Sequence, residues 1–241
     1  TLSRADARSN RYVLGNLTEP AAPRRETRTP VNVAFVLDRS GSMSGENKFS
    51  LARQAVEQSL RMLRPEDRFS LVVYDNRVDL LAASSLATPG AIRSALNALS
   101  IIAPRGNTDL CSGWMHGCNE VAEFVDKEKV SRVLLLTDGL ANHGTTNPEE
   151  LARHASELRL RGVSTSTFGV GSDFDERLLA GMADAGGGHF YFLADASQIP
   201  ERIASEVGEA LEVVVRSATV EARLPRGMTG NSLGRTTAPT A

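Results

Sequence analysis

Cysteine is nearly absent from this 241-residue chain, with Cys111 and Cys118 the only two. Both fall in one predicted helix, where seven residues separate them by roughly 10 Å. A disulfide tolerates a Cα separation of roughly 7 Å at most. Two free thiols on one helical face are therefore expected, which suits a reducing, cytoplasmic compartment. Lysine is scarce as well: only Lys48, Lys127 and Lys129 stand among 27 basic residues, and the rest are arginine. That bias is compositional. A net charge of −2 and a pI near 6.1 leave no basic footprint for a nucleic acid. No apolar run approaches the roughly 20 residues that span a bilayer, so no transmembrane segment is expected. No signal peptide is visible either, although the chain begins at Thr1 and not Met, which leaves a processed N-terminus open. Internal repeats are missing too.

What is present is an ordinary globular composition, 41% hydrophobic and 23% charged. The length suffices for one large α/β domain with modest extras. Residues 1–29 read as an extension, with a short strand at Arg11–Leu14 and a proline-broken connector from Glu19 to Arg25. Strands are expected at Val33–Leu37, Phe69–Tyr74, Val78–Ala82, Val133–Thr137, Val163–Val170 and His189–Leu193. Helices are expected at about Glu46–Leu63, from Pro89, Leu110–Val125, Pro148–Leu160, Glu176–Ala183 and Gln198–Val214. In the helix from Leu110, the stripe Cys111, Met115, Cys118, Ala122 and Val125 is expected to be buried. Trp114 lies off that stripe, and His116 lies off the cysteine face, which argues against zinc. Gly186–Gly188 and Gly169–Gly171 lack the partners of a nucleotide loop and read as tight turns. Alternating strands and helices imply a doubly wound α/β domain over residues 30–214, its mostly parallel sheet covered by helices. Ser217–Leu224 breaks the alternation and could pair with the N-terminal strand. Residues 215–241 form that strand and a Gly/Thr/Ser/Pro-rich tail.

Two of these strands stop at a carboxylate. Val33-Ala34-Phe35-Val36-Leu37 runs into Asp38-Arg39-Ser40-Gly41-Ser42-Met43, and Leu134-Leu135-Leu136-Thr137 runs into Asp138. In an open α/β sheet, ligands bind beyond the carboxyl ends of the strands where strand order reverses. If the two strands are neighbours there, Asp38 and Asp138 lie side by side and need a compensating charge. Ser40 and Ser42 add hard hydroxyl oxygens, and Thr108 in a polar loop adds a third. Such donors suit a small hard cation. Taken alone, the Asp38–Ser42 segment could equally be a helix cap. Asp109 and Asp75 read as a cap and a turn residue.

These residues resemble the von Willebrand factor A domain family and its metal-ion-dependent adhesion site. Asp38-Arg39-Ser40-Gly41-Ser42 matches the Asp-x-Ser-x-Ser segment, Thr108 the later threonine, and Asp138 the aspartate after the fourth main strand. The family loop often carries glycine where Asn107 stands. The Asp38–Met43 form and the His189–Tyr191 strand look most like bacterial stand-alone members. The resemblance implies a six-stranded sheet of order 3-2-1-4-5-6 with strand three antiparallel. It implies that Asp38, Ser40, Ser42, Thr108 and Asp138 hold Mg²⁺, with Mn²⁺ or Ca²⁺ as substitutes, and that an open position takes an Asp or Glu carboxylate of a partner protein. Arg39, Met43, Asn107 and His143 are expected on the partner-binding rim.

Three functions compete. The first is a cation-dependent, non-catalytic protein-binding module. The second is a Mg²⁺-dependent phosphohydrolase. That class generally needs a nucleophilic carboxylate with a general acid two residues on, where Ser40 stands here, and no nucleophile–base pair is evident elsewhere. The third is a metal-site subunit of an AAA+ ATPase of the chelatase type.

Overall fold

The computed structural model describes residues 29–126 and 129–211. The expected strands at Arg11–Leu14 and Ser217–Leu224, the connector, the tail and the end of the last helix lie outside the described residues. Chain order is β1 (Val31–Asp38), a 3-10 turn (Gly41–Asn47), α1 (Lys48–Met62), β2 (Arg68–Tyr74), β3 (Val78–Leu86), α2 (Pro89–Ser100) and α3 (Leu110–Ala122). There follow β4 (Val130–Thr137), α4 (Pro148–Leu160), β5 (Val163–Val170), α5 (Glu176–Gly186), β6 (Gly187–Leu193) and α6 (Ile199–Leu211). The strands form one sheet in the order β3-β2-β1-β4-β5-β6. Only β3 runs antiparallel, hydrogen-bonded to β2 through the Asp75–Arg77 turn. Fold class and strand order therefore agree with the expectation.

β1 is central because both its faces are covered. Val31, Val33, Phe35 and Leu37 point into one core with α1, α2 and α6. Ala34 and Val36 point into the other with α3, α4 and α5. An unbroken apolar run is what such a strand requires. Helix starts follow capping chemistry. Thr88, Asp109, Asn147 and Asp175 each accept a first-turn backbone N–H, at α2, α3, α4 and α5 respectively, and Pro89 and Pro148 open two of these helices.

Three local expectations need correction. α1 begins at Lys48 and not Glu46, because Glu46 and Asn47 both adopt left-handed backbone (φ 52° and 57°). The buried face of α3 is Leu110, Gly113, Trp114, Gly117, Cys118 and Val121. Of the expected stripe only Cys118 is buried: Cys111 and Met115 are half-buried, and Ala122 and Val125 are exposed. Glycines dictate this rotation. A β-carbon at Gly113 would lie 2.4 Å from Tyr74 Cγ, and one at Gly117 would lie 2.3 Å from Val36 Cγ2. The helix lies flush on the sheet along these two small residues. That buries Trp114 completely, its indole N–H donating to Thr165 Oγ1 at 3.2 Å. Finally, the turn expected at Gly186–Gly188 shrinks to one left-handed residue, Gly187 (φ 69°), which caps α5 and starts β6.

A buried carboxylate ties α6 to the sheet. Glu206 is fully buried and takes hydrogen bonds from Arg132, Ser166 Oγ and Tyr191 OH, with His189 Nδ1 at 3.2 Å. Burial alone would raise its pKa, but these partners, Arg132 foremost, hold it below the usual range. Among the described residues, His189, Glu206 and Glu209 are the one group of three or more His, Cys, Asp or Glu residues whose ligand atoms lie close enough to share a metal. With Glu206 already occupied by a guanidinium and two hydroxyls, that group reads as a structural tie. Cys111 and Cys118 are free thiols, as expected, and do not join such a group with His116.

Candidate metal centre

The register of β1 on β4 pairs Leu37 with Leu136, so the two strands end together. Asp38 and Asp138 emerge from those ends, both buried. One Asp38 oxygen accepts from the Ser40 N–H at 2.7 Å, and the other from Thr137 Oγ1 at 2.6 Å. Burial pushes the Asp38 carboxyl up to about 6, and nearby Asp138 adds to the rise, although Thr137 and Ser40 pull the other way. Asp138 accepts from Ser42 Oγ at 2.6 Å through one oxygen, and its other oxygen lies 2.9 Å from Lys48 Nζ. Ser40 Oγ and Ser42 Oγ are 3.1 Å apart. Four of the five expected ligands thus form one connected cluster.

Thr108 arrives from the loop before α3. Backbone hydrogen bonds fix that loop against the Asp38–Ser42 segment: Gly41 N to Gly106 O at 3.1 Å, and Arg105 N to Arg39 O at 2.7 Å. Asn142, just past β4, fastens it from the other side. Its side chain accepts from Thr108 N at 3.1 Å and its own N–H donates to Thr108 O at 3.2 Å. A β-carbon on Gly139 would lie 3.6 Å from Ser42 Oγ and 3.7 Å from Thr108 Oγ1. Both hydroxyls therefore border the same spot beside Asp138. Lacking a side chain, Gly139 leaves that spot open.

The residues present fit a small hard cation. Every donor is oxygen, two are carboxylates, and Asp38 in particular gains from a neighbouring positive charge, since burial alone drives it toward its neutral form. Asp38, Ser40, Ser42, Thr108 and Asp138 are the residues that could hold it.

The rim differs from expectation at two of four positions. Arg39 is buried, with its guanidinium paired to Asp75 and Asp79. Met43 is also buried, inside the core on the α1 side. Burial removes both from any partner-binding surface. Arg39 lies between β1 and the 3-10 turn, where Asp75 and Asp79 hold it, and Met43 is the residue of that turn that faces the core. Asn107 is exposed, and so is His143, whose Nδ1 lies 3.2 Å from Asp109 Oδ2. Asp109 caps α3 as expected. Asp75 accepts from the Arg77 N–H in its turn, but it also anchors Arg39 and Arg105. Despite burial, hydrogen bonds from Arg105 and the Arg77 N–H, with Arg39 alongside, hold its carboxyl below the usual range.

Sequence reasoning missed Lys48, Thr137 and Asn142. Thr137 carried a usable signal, since it ends β4 opposite Asp38. Lys48 carried only its rarity.

Comparison with known proteins bears on the family and the fold. The model of the von Willebrand factor type A domain matches residues 32–206. Uncharacterized protein YfbK of Escherichia coli is 27% identical over 194 residues, covering 79% of this chain and 33% of that protein. Human inter-alpha-trypsin inhibitor heavy chain H4 is 30% identical over 173 residues, covering 69% and 18%. The chain thus spans only a third or less of the length of these two curated relatives. Among solved structures, a von Willebrand factor type A protein from Catenulispora acidiphila superposes with a TM-score of 0.67 at 20% identity, covering 76% of this chain and 43% of that one. Proximal thread matrix protein 1 from the mussel byssus, with a zinc-occupied MIDAS motif, gives 0.62 at 23% identity, covering 76% and 46%.

Proposed function

The chain belongs to the von Willebrand factor type A domain family, and from that premise we propose that residues 30–214 form a divalent-cation-dependent protein-binding module. Asp38, Ser40, Ser42, Thr108 and Asp138 hold the ion, with Mg²⁺ the natural fit to an all-oxygen donor set and Mn²⁺ or Ca²⁺ as substitutes. The bound ion supplies a Lewis-acid position for an Asp or Glu carboxylate of a partner protein. Asn107 and His143, exposed beside that position, line the approach. The observation that carries the reading is the convergence of three separate segments on Asp38 and Asp138, with only oxygen donors among the five side chains.

The protein's own residues do the positioning. Thr137 and the Ser40 N–H orient Asp38, and Asn142 sets the height of Thr108. Among the described residues no helix is long and apolar enough to cross a membrane. A pull-down with wild type and Asp138→Ala, in Mg²⁺ and in EDTA, tests the proposal. Partners recovered by wild type in Mg²⁺ alone are expected, with none recovered by the variant. Equal recovery in EDTA would overturn it.

Lys48 against Asp138 is the single observation that favours a Mg²⁺-dependent phosphohydrolase. Ser40, two residues after Asp38, offers no general acid. A phosphomonoesterase screen with Mg²⁺ is expected to show no turnover above background.

A further inference from the structure

We propose that Lys48 is a tethered counter-cation of this centre: it competes with the divalent ion for Asp138 and keeps metal affinity low and displaceable. The inference rests on the reading that these residues hold a divalent ion. Three observations carry it. The ammonium lies 2.9 Å from Asp138 Oδ2, and the side chain is only 13% exposed. Asp138's other oxygen already accepts from Ser42, so the carboxylate is engaged on both sides. The turn after β5 backs the ammonium, since a β-carbon on Gly171 would lie 3.7 Å from Nζ.

The helix itself gives no reason for a cation here. Lys48 is the first residue of α1, which has no acidic residue in its first turn. A helix N-terminus carries positive partial charge, so lysine is the wrong sign for that position. The two residues before it, Glu46 and Asn47, both adopt left-handed backbone, which asparagine tolerates but which is costly for Glu46. The chain accepts both penalties, and the result is an α1 whose first side chain reaches the end of β4.

An ammonium and a divalent ion on one buried carboxylate repel each other at short range with little water between them. Lysine's flexible four-carbon stem gives it a way out, because the head can swing to solvent while the stem stays packed. Metal uptake is thus an exchange, with one tethered positive charge leaving as the ion enters.

Calorimetry of the full chain, stripped with EDTA and dialysed, would measure Mn²⁺ and Mg²⁺ affinity for wild type, Lys48→Met and Lys48→Arg. Methionine keeps the stem and removes the charge. Lys48→Met is expected to bind Mn²⁺ about tenfold more tightly or better, with Lys48→Arg no tighter than wild type. Wild type alone provides a second readout that does not depend on any variant folding. Reductive methylation mapped by mass spectrometry should find Lys48 protected in EDTA and several-fold more reactive in saturating Mn²⁺. Lys127 and Lys129 serve as internal references. If Lys48→Met binds Mn²⁺ no better than wild type, and Lys48 methylation ignores the metal, Lys48 merely positions Asp138: this proposal falls while the metal-site reading stands. No binding by any of the proteins would sink both.

Discussion

Replacing Asp38 with asparagine should stabilise the protein in EDTA while abolishing its response to divalent ions. Asp38 has no solvent exposure, and that burial raises its carboxyl from 3.8 to about 6. Well below pH 3.8 the carboxyl is neutral both folded and unfolded, so it contributes nothing to pH dependence. Between pH 4 and about 6 the unfolded chain releases this proton while the folded protein keeps it. The folded state then binds more protons, so stability falls as pH rises. Above that window the accumulated loss is about 3 kcal/mol. An asparagine in its place escapes the loss, and its shape suits the site. The amide oxygen can still accept from the Ser40 N–H, and the amide nitrogen can donate to Thr137 Oγ1, whose hydroxyl has the Gly139 carbonyl at 3.4 Å as an alternative acceptor. Urea unfolding in EDTA from pH 4 to pH 8 checks this. The gap between Asp38→Asn and wild type should widen from about 0.5 kcal/mol at pH 4 to about 3 kcal/mol at pH 7.5 in favour of the variant. Saturating Mg²⁺ should raise wild-type stability and leave Asp38→Asn unmoved. A pH-independent gap, or a wild type already the more stable at pH 7.5 in EDTA, would refute the argument that Asp38 carries an uncompensated charge.

Gly117→Ala should cost about 1–3 kcal/mol through overpacking, because the new β-carbon meets Val36 Cγ2 at 2.3 Å on a strand with no room to yield. Gly181→Ala in α5, with nothing within 4 Å, is the control: helix propensity alone should leave it neutral or stabilised by up to about 1 kcal/mol in the same denaturation assay. Glu206→Ala should cost about 3–5 kcal/mol by stranding Arg132, whose side chain is only 13% exposed. Glu206→Gln should recover part of that loss, since an amide still meets Ser166 and Tyr191, and chemical denaturation of the pair checks it.

Much of the architecture was legible because the deciding patterns are local. An unbroken apolar run marked β1 as doubly covered, and Pro89 and Pro148 marked where their helices begin. Where pattern reading failed, small or polar residues were at work. The face of α3 is chosen by Gly113 and Gly117, which carry no hydrophobic signal, so a stripe built on Cys111 and Met115 pointed the wrong way. The rim expectation failed at Arg39 and Met43 for a related reason. Position beside a motif does not reveal which way a side chain turns, and Arg39 found its partners, Asp75 and Asp79, 36 and 40 residues away.

By itself, the sequence determined the inventory of the centre: two carboxylates ending apolar strands, two serines at fixed spacing from the first, and a threonine in a polar loop. Covalent order and strand periodicity are enough for that much. Tertiary structure decided that β1 and β4 are neighbours in register, so the carboxylates share one crevice, and that Asn142 brings Thr108 to them. It alone brought Lys48 to Asp138, 90 residues apart in the chain. Charge compensation acts through space, and no spacing rule along the chain encodes which cation a buried carboxylate will meet.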